Sequence, residues 1–374
     1  MKLSQFKNTP ERRKFLEKEL NIKLKQIEKA HIEEEKNIHC ENLIGETTLP
    51  LGVAGPIKIK NQKLKIKNYF IPLATTEGAL VASVNRGCKA VTLSGGAIVY
   101  VNKIGTTRGP VYEAKNLNQA FWFVKWLKKN EEKIKKEAEK TSSHLKYLKF
   151  ETKVIGIYVY VRFYFDCGQA MGMNMATIAT EAINQLIEKE TGIKCLSLSG
   201  NFCVDKKPAW LNFILGRGYE VWVEVILKGK VIDKVLKTNA KKLFEVWLAK
   251  TQIGSAIAGS LGYNSHFANI VAAFFAAAGQ DLAHTVEGSL GITTTKLLPN
   301  ADLYFSIYLP ALMIGTVGGG TKLEVKKEAI AITGAKSSDE LAGILGSAVL
   351  AGEISLLASL AQGTLACVHG NLGR

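Results

Sequence analysis

Residues 157–165, which read IYVYVRFYF, determine the class of fold that the sequence predicts. Apolar residues at the odd positions alternate with tyrosine or arginine at the even ones, and this period of two is typical of a half-buried strand. The neighbouring segments add strands at 111–114, 146–154 and 195–198 and helices at 118–140 and 171–190. The resulting order, β-α-β-β-α-β, is that of a ferredoxin-like domain.

The sequence on both sides of this unit is rich in glycine and poor in charge, so we interpret residues 109–197 as a small domain inserted into a larger one. The larger domain comprises 39–108 and 198–374, and a helical segment, 1–38, precedes it. Its predicted elements are a strand at 219–227, a turn at 228–230 leading to a second strand at 231–232, a helix at 240–250 and two long apolar stretches, 253–283 and 341–365. Polar residues interrupt both stretches, which favours buried helices over membrane spans. The predicted class is α/β (α+β), a large domain with long buried helices plus an inserted ferredoxin-like small domain.

The composition limits the classes of protein and of partner. The chain has 374 residues, of which 47% are hydrophobic, and this excludes a disordered chain. Its formal net charge of +16 predicts anionic partners: nucleic acid, a membrane surface, or substrates with phosphates and carboxylates. Six cysteines lie far apart without metal-binding spacing, which indicates reduced thiols, no structural metal and a cytoplasmic protein.

Three ionisable residues in glycine-rich segments point to the reduction of a carbonyl group. Such a reaction needs a lysine to neutralise charge on oxygen, a carboxylic acid to supply a proton, and a second carboxylate to set the pKa of that acid. Glu77, Lys206 and Asp281 fill these roles, so we predict that they are catalytic. His369 adds an acid suited to protonating a departing thiolate.

These segments resemble the hydroxymethylglutaryl-coenzyme A (HMG-CoA) reductase family, in its class I form without a membrane domain. The matching runs are 41–56, 75–78, 107–110, 171–174, 199–201, 205–208, 279–281 and 315–321. The resemblance implies that HMG-CoA is reduced to mevalonate and free coenzyme A with two NADPH, and that the small domain binds the cofactor. It also implies a homodimer or homotetramer, in which the neighbouring subunit completes the site and 41–55 is part of that junction.

The resemblance assigns site residues by position. It implies that Glu77, Lys206 and Asp281 form the catalytic network and that His369 protonates the departing coenzyme A. The residues implied for substrate binding are Arg108, Ser199, Asn201, Lys207, Lys250, His266 and Asn269. Those implied for contact with the cofactor are Arg86, Asn174, Gly318, Gly319 and Gly320.

No GxGxxG motif is present, so the pyrophosphate of the cofactor needs another site. The helix that opens Gln169-Ala170-Met171-Gly172 offers free N–H groups for it. Class I members carry an acidic residue where Gln169 stands and a Ser-Arg pair, which grips the 2′-phosphate of NADPH, where Ser143-His144 stands. Because histidine is the weaker phosphate ligand, we predict that NADPH is preferred over NADH by a reduced margin, with Lys146 or Lys149 replacing the arginine.

Two other functions stay open on the sequence. A member that uses NADH and runs the reaction in the reverse, catabolic direction carries the same segments. A basic nucleic-acid-binding protein is the more distant alternative, because nine lysines between Trp122 and Lys149 are interleaved with Trp122, Trp126 and Tyr147. Four glutamates dilute this stripe, so a solvated helix face is the stronger interpretation.

Overall fold

The computed structural model describes residues 8–20, 40–61 and 67–364. Its helices are α1 (Thr9–Leu20), α2 (Leu80–Leu93), α3 (Leu117–Lys129), α4 (Glu131–Glu139), α5 (Met173–Thr191), α6 (Leu211–Leu215), α7 (Gly229–Leu236), α8 (Ala240–Val246), α9 (Ser255–Ile257), α10 (Phe267–Ala277), α11 (Thr285–Gly288), α12 (Glu324–Thr333) and α13 (Ser338–Gln362). Its strands are β1 (Leu51–Asn61), β2 (Lys67–Ala74), β3 (Ala97–Arg108), β4 (Val111–Glu113), β5 (Lys146–Ile155), β6 (Tyr158–Asp166), β7 (Cys195–Ser197), β8 (Gly218–Leu227), β9 (Ile292–Leu297) and β10 (Leu303–Leu312). A π-helix spans Trp247–Gly254, and 3₁₀ turns span Leu282–His284, Pro299–Ala301 and Gly319–Lys322. His369 lies outside the described residues, as do 1–7 and 21–38 of the predicted N-terminal segment.

The described strands form one mixed sheet. Its main path is β7-β4-β6-β3-β8-β10-β9, with β5 paired to β6 and with β1 and β2 attached beside β3. The strands of the predicted insertion lie in the antiparallel order β7-β4-β6-β5, with helices between them as the sequence pattern requires. The predicted fold class, including the ferredoxin-like unit, is confirmed.

Two separate hydrophobic cores accompany this sheet. One contains only residues between Tyr112 and Cys195. The other combines residues between Ala54 and Val99 with residues between Tyr219 and Ala358. Each core has its own helices, α3 to α5 in the first and α2, α10 and α13 in the second. The domain boundaries at 109 and 197 stay a prediction, with which this distribution agrees.

The helix α13 lies across the large part of the sheet. Within the described chain it is the one helix long and apolar enough to cross a membrane, and 94% of its most apolar window is buried inside the protein. Small residues allow its close approach: a Cβ atom at Gly346 would lie 2.6 Å from the side chain of Val221 on β8. Burial on this scale makes α13 a core helix.

The contact between α2 and α13 is closer still. A Cβ atom at Gly87 would lie 1.9 Å from the backbone oxygen of Ala351, so any side chain there forces the two helices apart. We expect Gly87→Ala to lower the free energy of unfolding by about 1–3 kcal/mol, measured by urea denaturation. Gly288→Ala is the control, because its Cβ would meet its nearest neighbour at 3.4 Å. Equal stability of the two variants would contradict this account of the packing.

Two predicted elements differ from the structure because of single polar residues. The predicted helix 118–140 is divided at Asn130, whose side chain donates to the Trp126 carbonyl oxygen at 2.9 Å and ends α3. The predicted strand 231–232 is instead part of α7. Asp302 accepts hydrogen bonds there from the Gly229 N–H and the Lys228 ammonium group, both at 2.9 Å, and this fixes the start of a helix.

Two other predictions were wrong in part. The apolar stretch 253–283 is not one helix: the chain leaves helical geometry at Gly259, with φ +64°, and resumes it in α10. In β6 the odd-numbered residues are buried as predicted, but Arg162 and Tyr164 on the other face are buried too. The Arg162 guanidinium donates to the Gly216 carbonyl oxygen at 2.7 Å, because the segment before β8 covers this face.

Candidate active site

Lys206 and Asp281 meet directly, as the prediction of a shared site requires. Lys206 Nζ lies 2.8 Å from Asp281 Oδ2, and the two side chains are 41% and 38% exposed. Lys206 has a φ of +57°, and Val204 and Asn201 in the same loop also have positive φ values. Such backbone geometry is costly for residues other than glycine and concentrates at functional sites. The pair is therefore a cation and an anion held at a solvent-accessible surface by a strained loop.

A buried ionic network supports this loop from below. Arg217 and Glu287 are fully buried and form an ion pair, and Arg217 Nη2 also lies 2.8 Å from Asp205 Oδ1. The backbone N–H of Lys206 donates to Glu287 Oε1 at 3.2 Å. Arg108 completes the network, with Nη1 3.7 Å from Asp205 Oδ2. The position of Lys206 thus depends on charges that lie outside its own segment.

Asp205, His284 and Glu287 lie close enough together to resemble a metal site. The Arg217 guanidinium already contacts both carboxylates of this group. Because a permanent cation neutralises these carboxylates, we interpret the cluster as an ion-pair network and not as a metal site.

The electrostatic surroundings of Asp281 keep its carboxylate charged. Burial acts to raise the pKa of Asp281, but the hydrogen bonds from Lys206 and from the Ala283 N–H, together with nearby His284, hold that pKa below its usual value. His284 is fully buried, with Nε2 3.6 Å from Asp281 Oδ2. Asp281 is therefore a permanent partner of Lys206 at neutral pH.

Glu77 lies in a cleft of about 320 Å³ between the start of α2, the start of α10 and the last turns of α13. Its Oε1 atom accepts a hydrogen bond from Asn269 Nδ2 at 3.2 Å, and His266 lines the same cleft. Among the residues that the structure describes, no hydrogen bond or ion pair joins Glu77 to Lys206 or Asp281. The three predicted catalytic residues therefore form two separate groups within one chain.

Arg86, which the resemblance implies for the cofactor, lies in this same cleft. Its guanidinium group donates to the Ser355 carbonyl oxygen and to Ser359 Oγ, both at 2.6 Å. Burial lowers the pKa of Arg86 from its usual value. The cleft thus combines a fixed cation with the Glu77 carboxylate and the Asn269 amide.

The buried carboxylate of Glu353 on α13 positions one wall of the cleft. It accepts hydrogen bonds from the backbone N–H of His266 at 2.7 Å, from that of Ser265, and from Thr293 Oγ1 at 2.8 Å. These N–H groups belong to the start of α10, where a carboxylate is stabilised by the helix dipole. Glu353 thereby fixes the first turn of the helix that carries Asn269.

The other predicted substrate residues lie on the loop of Lys206 or near the cleft. Lys207 Nζ donates to the Asp205 carbonyl oxygen at 3.2 Å, and Ser199 Oγ lies 3.6 Å from Cys203 Sγ. Asn201 is exposed at the bend of the loop. Lys250 is exposed on the π-helix, which is joined to the segment before α10 by the contact of Thr251 Oγ1 with Ser265 Oγ at 3.1 Å. A π-helix is rare and is frequently found at functional sites.

The predicted cofactor segments also come together. Gly172, with φ +92°, immediately precedes α5, and residues 168–172 pack on the glycine run, with a bridge between Ala170 and Val317. The glycine run in turn packs on the segment of Asp281, because a Cβ atom at Gly320 would lie 2.7 Å from the Gly279 carbonyl oxygen. The start of α5, with exposed Asn174, is therefore connected to the Lys206–Asp281 pair through Gly318–Gly320.

The residues predicted near the 2′-phosphate of the cofactor do not all lie at one place in the structure. Ser143 and His144 are exposed on the turn before β5, whose backbone lies beside Gly168. Gln169 points elsewhere, since its Oε1 accepts from the N–H and hydroxyl of Ser338 at 2.6 and 3.0 Å. Lys149 already pairs with Glu151 at 3.2 Å. His144 and Lys146 are thus the exposed basic groups at this position.

Two of the three aromatic residues predicted to interleave with the basic stripe of α3 and α4 are not exposed. Tyr147 is 6% exposed and its hydroxyl donates to Glu131 at 2.9 Å. Trp126 packs against the small core, stacked on Phe123. Only Trp122 among the three interleaved aromatics is exposed, so the lysines form a solvated face.

Sequence reasoning missed the network beneath the site. A signal was present, because Asp281, His284 and Glu287 follow one another at intervals of three residues, so they fall on one side of a helical turn. Arg217 gave no local signal, since its partners lie 12 and 70 residues away in the chain.

Comparisons with known proteins identify the relatives of this chain. The family model described as hydroxymethylglutaryl-coenzyme A reductase matches residues 8–374. The 3-hydroxy-3-methylglutaryl-coenzyme A reductases of Methanothermobacter thermautotrophicus and Methanocaldococcus jannaschii are 45% and 49% identical over 369 and 376 residues, which is 97% of this chain and 92% of each relative.

A solved structure shares the fold. It is the class II 3-hydroxy-3-methylglutaryl-CoA reductase of Streptococcus pneumoniae, bound to NADPH in open conformations, with a TM-score of 0.72 and 18% identity. The match covers 96% of this chain and 98% of that chain. At this identity the likeness supports the fold and leaves the predicted class I subclass without confirmation.

Proposed function

Because the chain belongs to the hydroxymethylglutaryl-coenzyme A reductase family, we propose that it reduces HMG-CoA to mevalonate and free coenzyme A with two NADPH. The observation that carries the proposal is the contact between Lys206 and Asp281 on a strained, exposed loop. A fixed ammonium group at such a surface stabilises the negative charge that develops on a carbonyl oxygen during reduction. The enzyme is an oxidoreductase of the mevalonate pathway.

The proposed roles follow from the surroundings of each residue. Lys206 stabilises the oxyanion, and Asp281 holds Lys206 in place. Glu77, exposed and hydrogen-bonded to an amide, supplies the proton to the carbonyl oxygen. Arg86 shares the cleft of Glu77, so we assign it to the anionic substrate. His369 is proposed as the proton donor to the coenzyme A thiolate.

The residues near α5 fit a dinucleotide. The first turn of α5, which begins after Gly172, has N–H groups suited to an anion, and a Cβ atom at Gly319 would meet nothing within 4 Å, so the chain has room for a ligand at Gly319. We propose that Met171, Gly172, Asn174 and Gly318–Gly320 hold NADPH, with Ser143 and His144 near its 2′-phosphate. The bound cofactor supplies the hydride, while the protein orients the substrate carbonyl and holds the protons.

We further propose the class I subclass and a cytoplasmic location. The identity of 45–49% to the archaeal enzymes, against 18% to the class II structure, supports the subclass. The five described cysteines are all free thiols, which supports a reducing compartment.

A coupled assay tests the function and the choice of cofactor together. We expect pure protein to consume reduced cofactor on addition of HMG-CoA, measured by loss of its absorbance. We expect kcat/KM to be higher with NADPH than with NADH, because His144 and Lys146 leave positive charge near the proposed 2′-phosphate position. Absence of any consumption would overturn the function, and a preference for NADH would instead favour the catabolic alternative.

We propose that two copies of the chain complete each site. The separation of Glu77 from Lys206 and Asp281 within one chain supports this, since a second copy can bring the two groups together. Leu49, Leu51 and Val53, in the segment predicted at the junction, are each nearly half exposed. Apolar side chains exposed in a row are typical of an interface.

Mixing two inactive variants tests this arrangement. We expect Glu77→Gln and Lys206→Ala to be inactive alone and to recover about a quarter of the wild-type rate after refolding as an equimolar mixture, because half of the dimers then contain one intact site of two. Light scattering measures the size of the mixed species. No recovery in a confirmed mixed dimer would show that each chain builds its site alone.

A further inference from the structure

Behind the Lys206–Asp281 pair lies a histidine that the proposed chemistry does not use. His284 is fully buried in the 3₁₀ turn that follows Asp281. Its Nδ1 atom lies 2.6 Å from Glu287 Oε1, and its Nε2 atom lies 3.6 Å from Asp281 Oδ2. The imidazole ring therefore connects a buried carboxylate to the carboxylate that holds Lys206.

The contacts of Glu287 determine the proton on Nδ1. Its Oε1 atom also accepts from the Arg217 guanidinium and from the Lys206 backbone N–H, so this oxygen acts as an acceptor. Nδ1 must therefore carry a proton and donate to it. Nε2 is then left as the atom that faces Asp281.

The second nitrogen faces a charged group as well. Nε2 is buried and has no hydrogen-bond partner within the described chain, and its charged neighbour is the Asp281 carboxylate. A bare lone pair on Nε2 would repel that carboxylate, whereas a protonated Nε2 attracts it. Protonation of both ring nitrogens is the arrangement that satisfies both contacts.

The other charged groups around the ring are of both signs. Asp205 Oδ1 lies 3.9 Å from Nδ1, so three carboxylates lie within 4 Å of the ring nitrogens. The surrounding cations, Lys206, Arg217 and Arg108, pair with these same carboxylates. The His284 ring thus lies between acidic groups from two different segments.

We propose that His284 is a positioning residue for the reaction: a doubly protonated imidazole, anchored on Glu287, that holds the Asp281 carboxylate beside Lys206. The inference rests on the proposed role of Lys206. Without the ring charge, Asp281 keeps its contacts with Lys206 and the Ala283 N–H but is more easily protonated, so Lys206 loses its counter-charge as the pH falls.

The test compares His284→Gln with the wild-type enzyme across the pH range of activity, because glutamine keeps a donor of similar size but no charge. We expect kcat to fall about tenfold to a hundredfold, while KM for HMG-CoA changes less than about threefold. We also expect the acidic limb of the kcat profile to move to higher pH. Removal of a cation beside a carboxylate raises the pKa of that carboxylate, which gives the direction of the movement.

Thr285→Val is the matched control, since it changes a buried hydroxyl group in the next residue that has no partner in the described structure. We expect it to leave kcat and the pH profile unchanged. If His284→Gln lowers only the melting temperature and keeps the wild-type kcat and acidic limb, His284 is a structural residue and the inference fails. A wild-type enzyme without activity would instead contradict the proposed function.

If His284→Gln does not fold, nitrogen NMR of the wild-type enzyme with labelled histidine tests the protonation of the His284 ring. We expect one imidazole ring whose two N–H protons exchange slowly with water at neutral pH, as burial of His284 requires. A spectrum in which every slowly exchanging ring carries a single proton overturns the inference.

Discussion

Lys206→Ala is expected to lower kcat/KM for HMG-CoA by about a thousandfold in a protein that folds normally. The ammonium group lies 2.8 Å from Asp281 and is the cation of the exposed pair. Its removal leaves the developing oxyanion without its counter-charge and leaves Asp281 to repel it. Steady-state consumption of NADPH measures the loss, and circular dichroism verifies the fold.

Two further variants show whether the effect is specific to Lys206. Lys234→Ala removes an exposed lysine of α7 and is expected to keep the wild-type rate. Asp281→Asn is expected to be nearly as inactive as Lys206→Ala, because it removes the charge that holds the ammonium group. Activity close to wild type in folded Lys206→Ala would show that another group stabilises the oxyanion.

Arg217→Met is expected to lower the free energy of unfolding by about 3–5 kcal/mol. This is the largest loss of stability that we expect from a single substitution of a buried residue. Arg217 is fully buried between Glu287 and Asp205. Methionine fills much of the volume but leaves buried carboxylates without their cation. Urea denaturation at neutral pH measures the loss.

Two controls separate the buried charge from ordinary packing. The double variant Arg217→Met/Glu287→Gln is expected to recover part of the stability, because it removes the uncompensated carboxylate. Lys133→Met breaks an exposed ion pair with Glu190 and is expected to cost less than about 1 kcal/mol. A small loss in Arg217→Met, similar to that of Lys133→Met, would show that solvent reaches the network.

The sequence predicted best what depends on local pattern. The strands around 157–165 follow from alternation, and the segments of Lys206 and Asp281 follow from the family motifs. The start of α7 was missed because Lys228-Gly229-Lys230 suits a turn as well as a helix, and the choice depends on Asp302, 73 residues from Gly229. Contacts between residues so far apart along the chain produce no periodic pattern in a single sequence.

The same reason explains what was missed in the site. Glu77 and Lys206 are chemically suited to one network, but the fold places them in different groups, and no spacing along the chain reports that. The buried partners of the loop, Arg217 and Glu287, look like ordinary charged residues in the sequence. Their role depends on burial, because a charged side chain removed from water needs a partner of opposite charge.

The strand β3 has a mechanical consequence for the whole molecule. Its first part pairs with β8, and its last residues, Thr106, Thr107 and Arg108, pair with β6 of the predicted insertion. Inserted domains usually swing on flexible linkers. Here one strand continues from its pairing with β8 into its pairing with β6, so a displacement of one part of the sheet pulls directly on the backbone of the other.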